Sequence, residues 1–236
     1  MSATVRLDLH VHSRYSVDSR LSFEQILERI TYEGLQGFAL TDHNTTRGVS
    51  ELARLRSSYP GFWFVPGVEI STQEGHLLAY GITEAPPGDR PLAETIERVA
   101  ALGGVSVLAH PFRFVHGVGR RIASEIRVDA LEGRNGKNSE LANTRAELLA
   151  ARRSLATTGG SDAHEPKLVG RAFTEFPGEV TSVDDLLEQI RGGRASSAGA
   201  SLSFAGRVRS SVRDGLLRAF RGFRPVGPRT VHPDRF

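Results

Sequence analysis

Histidine and carboxylate residues follow short apolar runs at several places along this chain. Six of its eight histidines belong to this set, whose members are His10, His12, His43, His76, His110, His164, Asp8, Asp42, Glu69 and Asp162. Mn²⁺, Fe²⁺ and Zn²⁺ accept imidazole and carboxylate groups as ligands. The chain has no cysteine, so thiolate sites and disulfides are excluded. These residue types therefore favour a hydrolytic metal site built from nitrogen and oxygen ligands.

The first run places two of these histidines two residues apart, as Asp8-Leu9-His10-Val11-His12. A strand alternates its faces, so Asp8, His10 and His12 should point the same way. Two imidazoles on one strand face can chelate one ion, with Asp8 behind them.

The elements that position these residues are predicted from periodicity. Apolar strand-like runs alternate with amphipathic helices, and the helix over 22–33 begins with a capping box of Ser22 and Gln25. Further helices are predicted over 46–57, 91–102, 138–153 and 183–191. This alternation indicates an α/β fold with a mainly parallel sheet, and six or seven strand–helix units fit a small barrel. In such a barrel the carboxyl ends of the strands converge on one mouth, where these residues would meet.

Each of these residues also has a simpler interpretation when it is taken alone. His110 before a proline could be a structural histidine, Asp42 a helix cap, and Glu69 a buried ion-pair partner. The His-x-His spacing also arises by chance in alternating strands. The joint pattern, with each residue just after an apolar run, favours the metal site over these separate interpretations.

The bulk composition is that of a soluble globular protein, with 39% hydrophobic and 24% charged residues in 236. No apolar run is long enough for a membrane span, and the N-terminus does not resemble a signal peptide. A cytoplasmic protein is therefore expected. Residues 1–203 hold 22 basic and 25 acidic residues, a net charge of −3, whereas residues 204–236 hold 8 Arg and 2 Asp, a net charge of +6.

We expect residues 1–195 to form the barrel and 196–236 to form a linker with a basic C-terminal helix and tail. The small residues of 195–203 indicate the linker. The helix would carry an apolar stripe of Phe204, Val208, Val212, Leu216 and Phe220 that packs on the barrel, with a solvated basic face. A contact between that basic face and nucleic acid or another anionic surface is the alternative. Residues 224–236 are expected to be loosely ordered.

Several motifs occur in an order that resembles the polymerase and histidinol phosphatase (PHP) superfamily. They are Asp8-x-His10-x-His12, Thr41-Asp42-His43-Asn44, Gly67-Val68-Glu69-Ile70-Ser71, His110-Pro111 and Gly160-Ser161-Asp162-Ala163-His164. The stretch 132–136 and the helix after it are also similar to stand-alone members, and the resemblance extends over 5 to about 195. It implies a distorted (β/α)7 barrel, two or three divalent ions, and hydrolysis of phosphate esters.

The resemblance also implies how the ligands are shared. A first ion would be held by His10, His12, Glu69 and Asp162. Glu69 would bridge to a second ion that His76 and His110 complete. A third ion would be held by Asp18, His43 and His164. The ions would be Mn, Fe or Zn.

The implied reaction is attack on phosphorus by a hydroxide that two ions share. Asp162 or a histidine would protonate the leaving group, while Asp8 and Asp42 would orient His10 and His43. Arg113 and Arg134 could bind the substrate's phosphate, although both could equally be surface arginines. The expected substrates are nucleotides or oligonucleotide ends. A small-metabolite phosphatase of the histidinol phosphate kind, an amidohydrolase-like C–N hydrolase and a non-enzymatic metal-binding module are the alternatives.

Overall fold

A computed structural model of the chain describes residues 4–220. The strands and helices within them are β1 (Thr4–Val11), α1 (Phe23–Tyr32), β2 (Gly37–Leu40), α2 (Val49–Ser58), β3 (Trp63–Ser71), β4 (His76–Tyr80), α3 (Leu92–Ala101), β5 (Val105–Leu108), α4 (Gly119–Glu125), β6 (Ala130–Asn135), α5 (Glu140–Arg152), β7 (Ala156–Gly160), a 3-10 turn (Pro166–Leu168), β8 (Ala172–Pro177), α6 (Val183–Arg191), β9 (Ser196–Gly199) and α7 (Phe204–Phe220).

The strands form one curled sheet in the order β7-β6-β5-β4-β3-β2-β1-β8-β9. The curl brings the end of β7 against β1, where the Asp162 N–H donates to the His10 carbonyl at 2.7 Å and the His12 N–H donates to the Ala163 carbonyl at 3.1 Å. Gly160 permits this approach, because an added Cβ would lie only 2.2 Å from the Cβ of His10. The predicted α/β barrel is confirmed, with an almost closed sheet.

The sheet is mixed rather than mainly parallel. Pairs β1–β2, β2–β3, β5–β6 and β6–β7 are parallel, whereas β3–β4, β4–β5, β1–β8 and β8–β9 are antiparallel. Strand β4 follows β3 after a short turn over 72–75 and so returns antiparallel to it, because a parallel return needs a longer crossover.

Helix α1 shows how the local sequence sets its packing. The Ser22 side chain accepts from the Gln25 N–H and the Gln25 side chain accepts from the Ser22 N–H, as the capping box predicts. The predicted apolar face is buried and consists of Phe23, Ile26, Leu27 and Ile30. It packs with the Phe38 and Phe64 rings of β2 and β3 in one core cluster, which fixes the strands that carry the polar residues at their ends.

The C-terminal part differs from its prediction in two ways. Residues 196–199, in the small-residue stretch expected to be a linker, form β9 and pair with the edge of β8. Helix α7 forms, but its apolar stripe does not pack on the barrel, since Phe204 is 73% and Phe220 83% exposed. The prediction for the stripe is therefore wrong, and Ser210 and Asp214 are buried in its place.

The prediction for 224–236 lies outside the described residues.

Among the helices of residues 4–220, none has the length and apolar character needed to cross a membrane.

Candidate metal centre

Glu69, near the end of β3, lies at the centre of a cluster of imidazoles. Its carboxylate is 1% exposed and its two oxygens lie 2.7–3.3 Å from ring nitrogens of five histidines: His10, His12, His43, His76 and His110. These histidines come from β1, from the β2 end, from the start of β4 and from the β5 end. The convergence expected from the strand ends is therefore present around one carboxylate.

A second carboxylate, Asp18, lies on the other side of His12 and His43. Its Oδ2 is 3.3 Å from His43 Nε2 and 3.1 Å from His164 Nε2. Ligand atoms of Asp18, His12, His43 and His164 all lie within 4.8 Å of one another. Asp18 sits in the loop after β1 and is fully buried.

Asp162 and His164 reach the cluster from the loop after β7. Asp162 Oδ1 is 3.4 Å from His12 Nε2 and 3.9 Å from His10 Nε2. The backbone of Asp162 has φ 54°, in the left-handed region that aspartate adopts more readily than most residues. His110 also has a positive φ, 27°, and such strained backbone concentrates at functional sites.

Charge within this cluster is strongly redistributed. Burial alone would raise the pKa of Glu69, but His43, His76 and His10 hold it well below the usual value. Burial would lower the pKa of His12, yet hydrogen bonds with Asp162 and Glu69 raise it to about 9. Burial dominates at His110 and lowers its pKa to about 3. The cluster thus combines ionised carboxylates with neutral and protonated imidazoles in a buried site.

The donor set fits divalent cations. Several buried ring and carboxylate atoms of the cluster make no well-directed hydrogen bond in the described structure, although some lie close to one another; among them are Asp18 Oδ1, His43 Nδ1, Glu69 Oε2, His110 Nδ1 and His164 Nε2. Buried polar atoms without partners are costly. Coordination by Zn²⁺, Mn²⁺ or Fe²⁺ satisfies such imidazole and carboxylate atoms. His10, His12 and Glu69 form one compact group, and His43, Glu69 and His76 form another.

Two acids that the sequence singled out as orienting residues contact other groups. Asp42 accepts hydrogen bonds from the Ser13 N–H and hydroxyl at 2.6 and 2.7 Å, and not from the His43 ring. Asp8 accepts from the N–H groups of Ser161 and Gly170, each at 2.8 Å, and so ties β1 to the loops after β7. Both acids hold the backbone of the site and do not orient an imidazole.

Glu132, on β6, takes the place expected for Asp8. Its Oε1 lies 2.8 Å from His10 Nδ1, and it accepts from the backbone N–H of His110 at 2.7 Å. The carboxylates of Glu132, Glu69 and Asp162 together outweigh burial and raise the pKa of His10 well above its usual value. The sequence signal was present, because Glu132 directly follows the apolar residues Ala130 and Leu131.

The two candidate phosphate-binding arginines lie in different places. Arg113 lines the pocket at the cluster and pairs with Asp162 through Nη1 at 2.7 Å. Arg134 is not brought to the site and instead pairs with Glu140 and Glu147 of α5 at 3.0 and 2.8 Å. An irregularity in the β6–β7 pairing lies between Glu132 and Arg134, and such a bulge breaks the rule that residues two apart share a face.

A pocket of about 570 Å³ opens over the cluster, in the size range of small-molecule sites. It is lined by two residues that the sequence did not single out, Lys137 and Asp214, as well as by Arg218 of α7. Lys137 Nζ lies 2.9 Å from His164 Nδ1 and 2.6 Å from Asp214 Oδ2. Lys137 is one of only two lysines in the chain, and that scarcity was a usable signal.

Two protein families and one related protein match parts of this chain. Residues 8–109 match the family described as PHP domain, and residues 140–195 match the family described as PHP-associated. An uncharacterized protein of Methanocaldococcus jannaschii is 33% identical over 118 residues, which are 46% of this chain and 68% of the relative.

Two relatives with named activities match shorter parts of the chain. The phosphoribosyl 1,2-cyclic phosphate 1,2-diphosphodiesterase of Eggerthella lenta is 37% identical over 39% of this chain and 37% of its own length. The 3',5'-nucleoside bisphosphate phosphatase of Chromobacterium violaceum is 36% identical over 34% of this chain and 29% of its own length. The chain thus spans about a third of each of these two enzymes.

Among solved structures, the fold is similar to that of a two-domain protein from Bacteroides vulgatus that contains a predicted PHP-like metal-dependent phosphoesterase. The TM-score is 0.70 at 18% identity, over 90% of this chain and 70% of the other. The likeness extends to nearly the whole described barrel.

Proposed function

Because the chain belongs to the PHP family of metal-dependent phosphoesterases, we propose that it hydrolyses the phosphate ester of a small phosphorylated compound such as a nucleotide. The observation that carries this proposal is the juxtaposition of the Glu69 cluster with cationic side chains. Arg113, Lys137 and Arg218 all line the pocket into which the cluster opens. A phosphate ester needs both features, cations to bind its oxygens and ligands for the ions that activate water.

The proposed ligands follow the contacts of the cluster. His10, His12, Glu69 and Asp162 would hold one ion, and Glu69 would share a second with His76 and His110. Asp18, His43 and His164 would hold a third. The ions, Mn, Fe or Zn, would neutralise charge on the phosphoryl oxygens and lower the pKa of the attacking water.

Asp162 is better suited to ligation than to proton donation. Burial would raise its pKa, but Lys137, Arg113 and His10 keep it well below the usual value. A carboxylate held ionised in this way has no proton to give at neutral pH. We therefore assign Asp162 to ion binding.

Arg113 is proposed to orient the substrate. Its Nε and Nη2 donate to the side-chain oxygens of Asn138 and Asn135 at 2.9 and 2.5 Å, which fix the direction of the guanidinium. A guanidinium held in one orientation can donate its remaining N–H groups to phosphate without losing further side-chain freedom.

The size of the pocket favours a small substrate over the body of a polynucleotide. Its volume of about 570 Å³ suits a mononucleotide or sugar phosphate, which are the classes of compound named for two relatives. An oligonucleotide could enter only by its end. The alternative contact of the basic face with nucleic acid receives no support from residues 204–220, since Arg207, Arg213 and Arg218 all bond within the protein.

A substrate screen tests the proposal. Protein loaded with Mn²⁺, Fe²⁺ or Zn²⁺ would be assayed with phosphomonoesters, nucleotides, oligonucleotides and amides. We expect metal-dependent release of phosphate from small phosphate esters, abolished by chelator and restored by added metal. Hydrolysis of amides without hydrolysis of any phosphate ester would contradict the proposal.

A further inference from the structure

Helix α7 forms one wall of the catalytic pocket, although it lies after both family-matched ranges. Its residues that line the pocket are Arg207, Ser210, Ser211, Asp214, Gly215 and Arg218. They recur on one face of the helix, which is polar throughout. The opposite face carries the exposed apolar stripe.

The helix is attached to the barrel largely by charged contacts. Asp214 pairs with Lys137 at 2.6 Å, and Arg213 pairs with Glu165 at 2.9 Å and also donates to the His164 carbonyl. The Lys137–Asp214 pair is only 12% and 10% exposed, so it contributes more than a surface pair and holds the helix closed over the pocket. Because the apolar stripe stays in solvent, opening the helix exposes no apolar core, and its cost is set by these few polar contacts, which a bound ion or anion can replace.

Arg218 is the residue of α7 that reaches deepest among the proposed ligands. Its Nε and Nη2 lie 2.7 and 2.5 Å from Asp18 Oδ2, and Nη2 lies 3.0 Å from His43 Nε2. Its side chain is 26% exposed, while that of Asp18 is fully buried. The guanidinium therefore spans from the buried ligands to the open part of the pocket.

The two partners of Arg218 are also proposed metal ligands. A divalent cation held by Asp18 and His43 would compete with the guanidinium for the same oxygen and nitrogen and would repel its charge. The N–H groups released in this way could then donate to an anion in the pocket. The five N–H donors of arginine match the oxygens of phosphate.

We propose that α7 is a lid of the catalytic pocket and that Arg218 binds a phosphate oxygen of the substrate when the lid is closed. This inference rests on the proposed function, because it takes the substrate to be a phosphate ester. Arg218, which lies outside the barrel and outside the family-matched ranges, would then contribute to substrate binding. It would do so from the side of the pocket that faces Asp18 and His43.

Inorganic phosphate is the probe for the test. Its binding to metal-loaded protein would be measured by calorimetry for the parent, Arg218→Ala, Arg218→Lys and the control Arg209→Ala, which removes an exposed arginine of the same helix. We expect Arg218→Ala to weaken phosphate binding by about ten- to a hundred-fold, the usual effect of losing hydrogen bonds to a charged group. Arg218→Lys keeps the charge but not the planar pair of N–H donors of the guanidinium, so its phosphate affinity should fall less. Arg209→Ala should bind phosphate like the parent.

Hydrogen exchange supplies a second readout that does not depend on turnover. Phosphate should slow amide exchange in residues 204–220 of the parent and not in Arg218→Ala. Equal phosphate affinity in the parent and Arg218→Ala would overturn the proposal. So would a loss of bound metal in Arg218→Ala with phosphate affinity unchanged at full metal loading, because Arg218 would then serve the metal site.

The two proposals can fail separately. Phosphate binding that depends on Arg218 in a protein that hydrolyses no phosphate ester would sustain the lid and refute the proposed function. Hydrolysis of phosphate esters with the same KM in the parent and Arg218→Ala would do the reverse.

Discussion

Replacing Glu69 by Gln should weaken ion binding more than any other single change in the cluster. The substitution keeps the size of the side chain but removes the charge that lies 2.7–3.3 Å from five imidazole nitrogens. Two unit charges about 4 Å apart interact by about 4 kcal/mol at an effective dielectric constant of about 20. An ion among these ligands carries two charges and lies no farther away, so about 4 kcal/mol is a conservative loss, equal to about three orders of magnitude in affinity.

The assay is a calorimetric titration of chelator-treated protein with Zn²⁺ or Mn²⁺, followed by elemental analysis of the loaded protein. Glu97→Gln, which neutralises an exposed glutamate of α3, is the matched control and should bind like the parent. Thermal unfolding in chelator should show that the Glu69→Gln barrel remains folded. If Glu69→Gln binds as many ions as the parent with the same affinity, the central role of this carboxylate is refuted.

Three further predictions concern the surroundings of the cluster. Glu132→Gln should lower metal affinity about 10- to 100-fold through its effect on His10; an unchanged calorimetric affinity would contradict this. Ion binding should weaken as the pH falls below about 9, because the pKa of His12 is raised to that value and its proton must leave before the ring can bind an ion; calorimetry in buffers of different ionisation enthalpy should detect the released protons, and a pH-independent affinity would disprove it. Arg113→Gln should raise KM for a phosphate ester, whereas Arg134→Gln should leave the kinetics unchanged and lower the free energy of unfolding by less than about 1 kcal/mol; equal kinetic effects would refute the separation of the two arginines.

The meeting of the histidines could be predicted from the sequence because it follows from local rules. Most of them lie at the end of an apolar run, and a barrel brings the ends of its strands together, whereas His76 opens the strand that returns from Glu69. His10 and His12 share a strand face by alternation, and both lie within 3.3 Å of Glu69. The α1 capping box is equally local, since Ser22 and Gln25 contact only each other's backbone.

Features that depend on distant partners could not be predicted in the same way. The apolar stripe of α7 led to a wrong prediction of which helix face packs on the barrel. The polar face packs there, because Arg218 pairs with the buried Asp18 and Asp214 pairs with Lys137. The position of Arg134 was missed because the pairing is irregular between Glu132 and Arg134, which Gly133 inside the strand could have signalled. A prediction from periodicity assumes that the apolar face of a helix is the one that packs on the core. Near a strongly charged site, ion pairs decide instead which face packs.

The separation of the pocket wall from the ligands along the chain has a consequence for how such a protein can diverge. Every proposed ligand lies between His10 and His164, whereas α7 begins at Phe204. Replacing α7 or changing its sequence would therefore alter the volume of the pocket and the charges that face a substrate. The residues proposed for the hydrolytic chemistry would stay in place. The two segments remain coupled at a few contacts, those of Arg218 with Asp18 and His43 and that of Asp214 with Lys137.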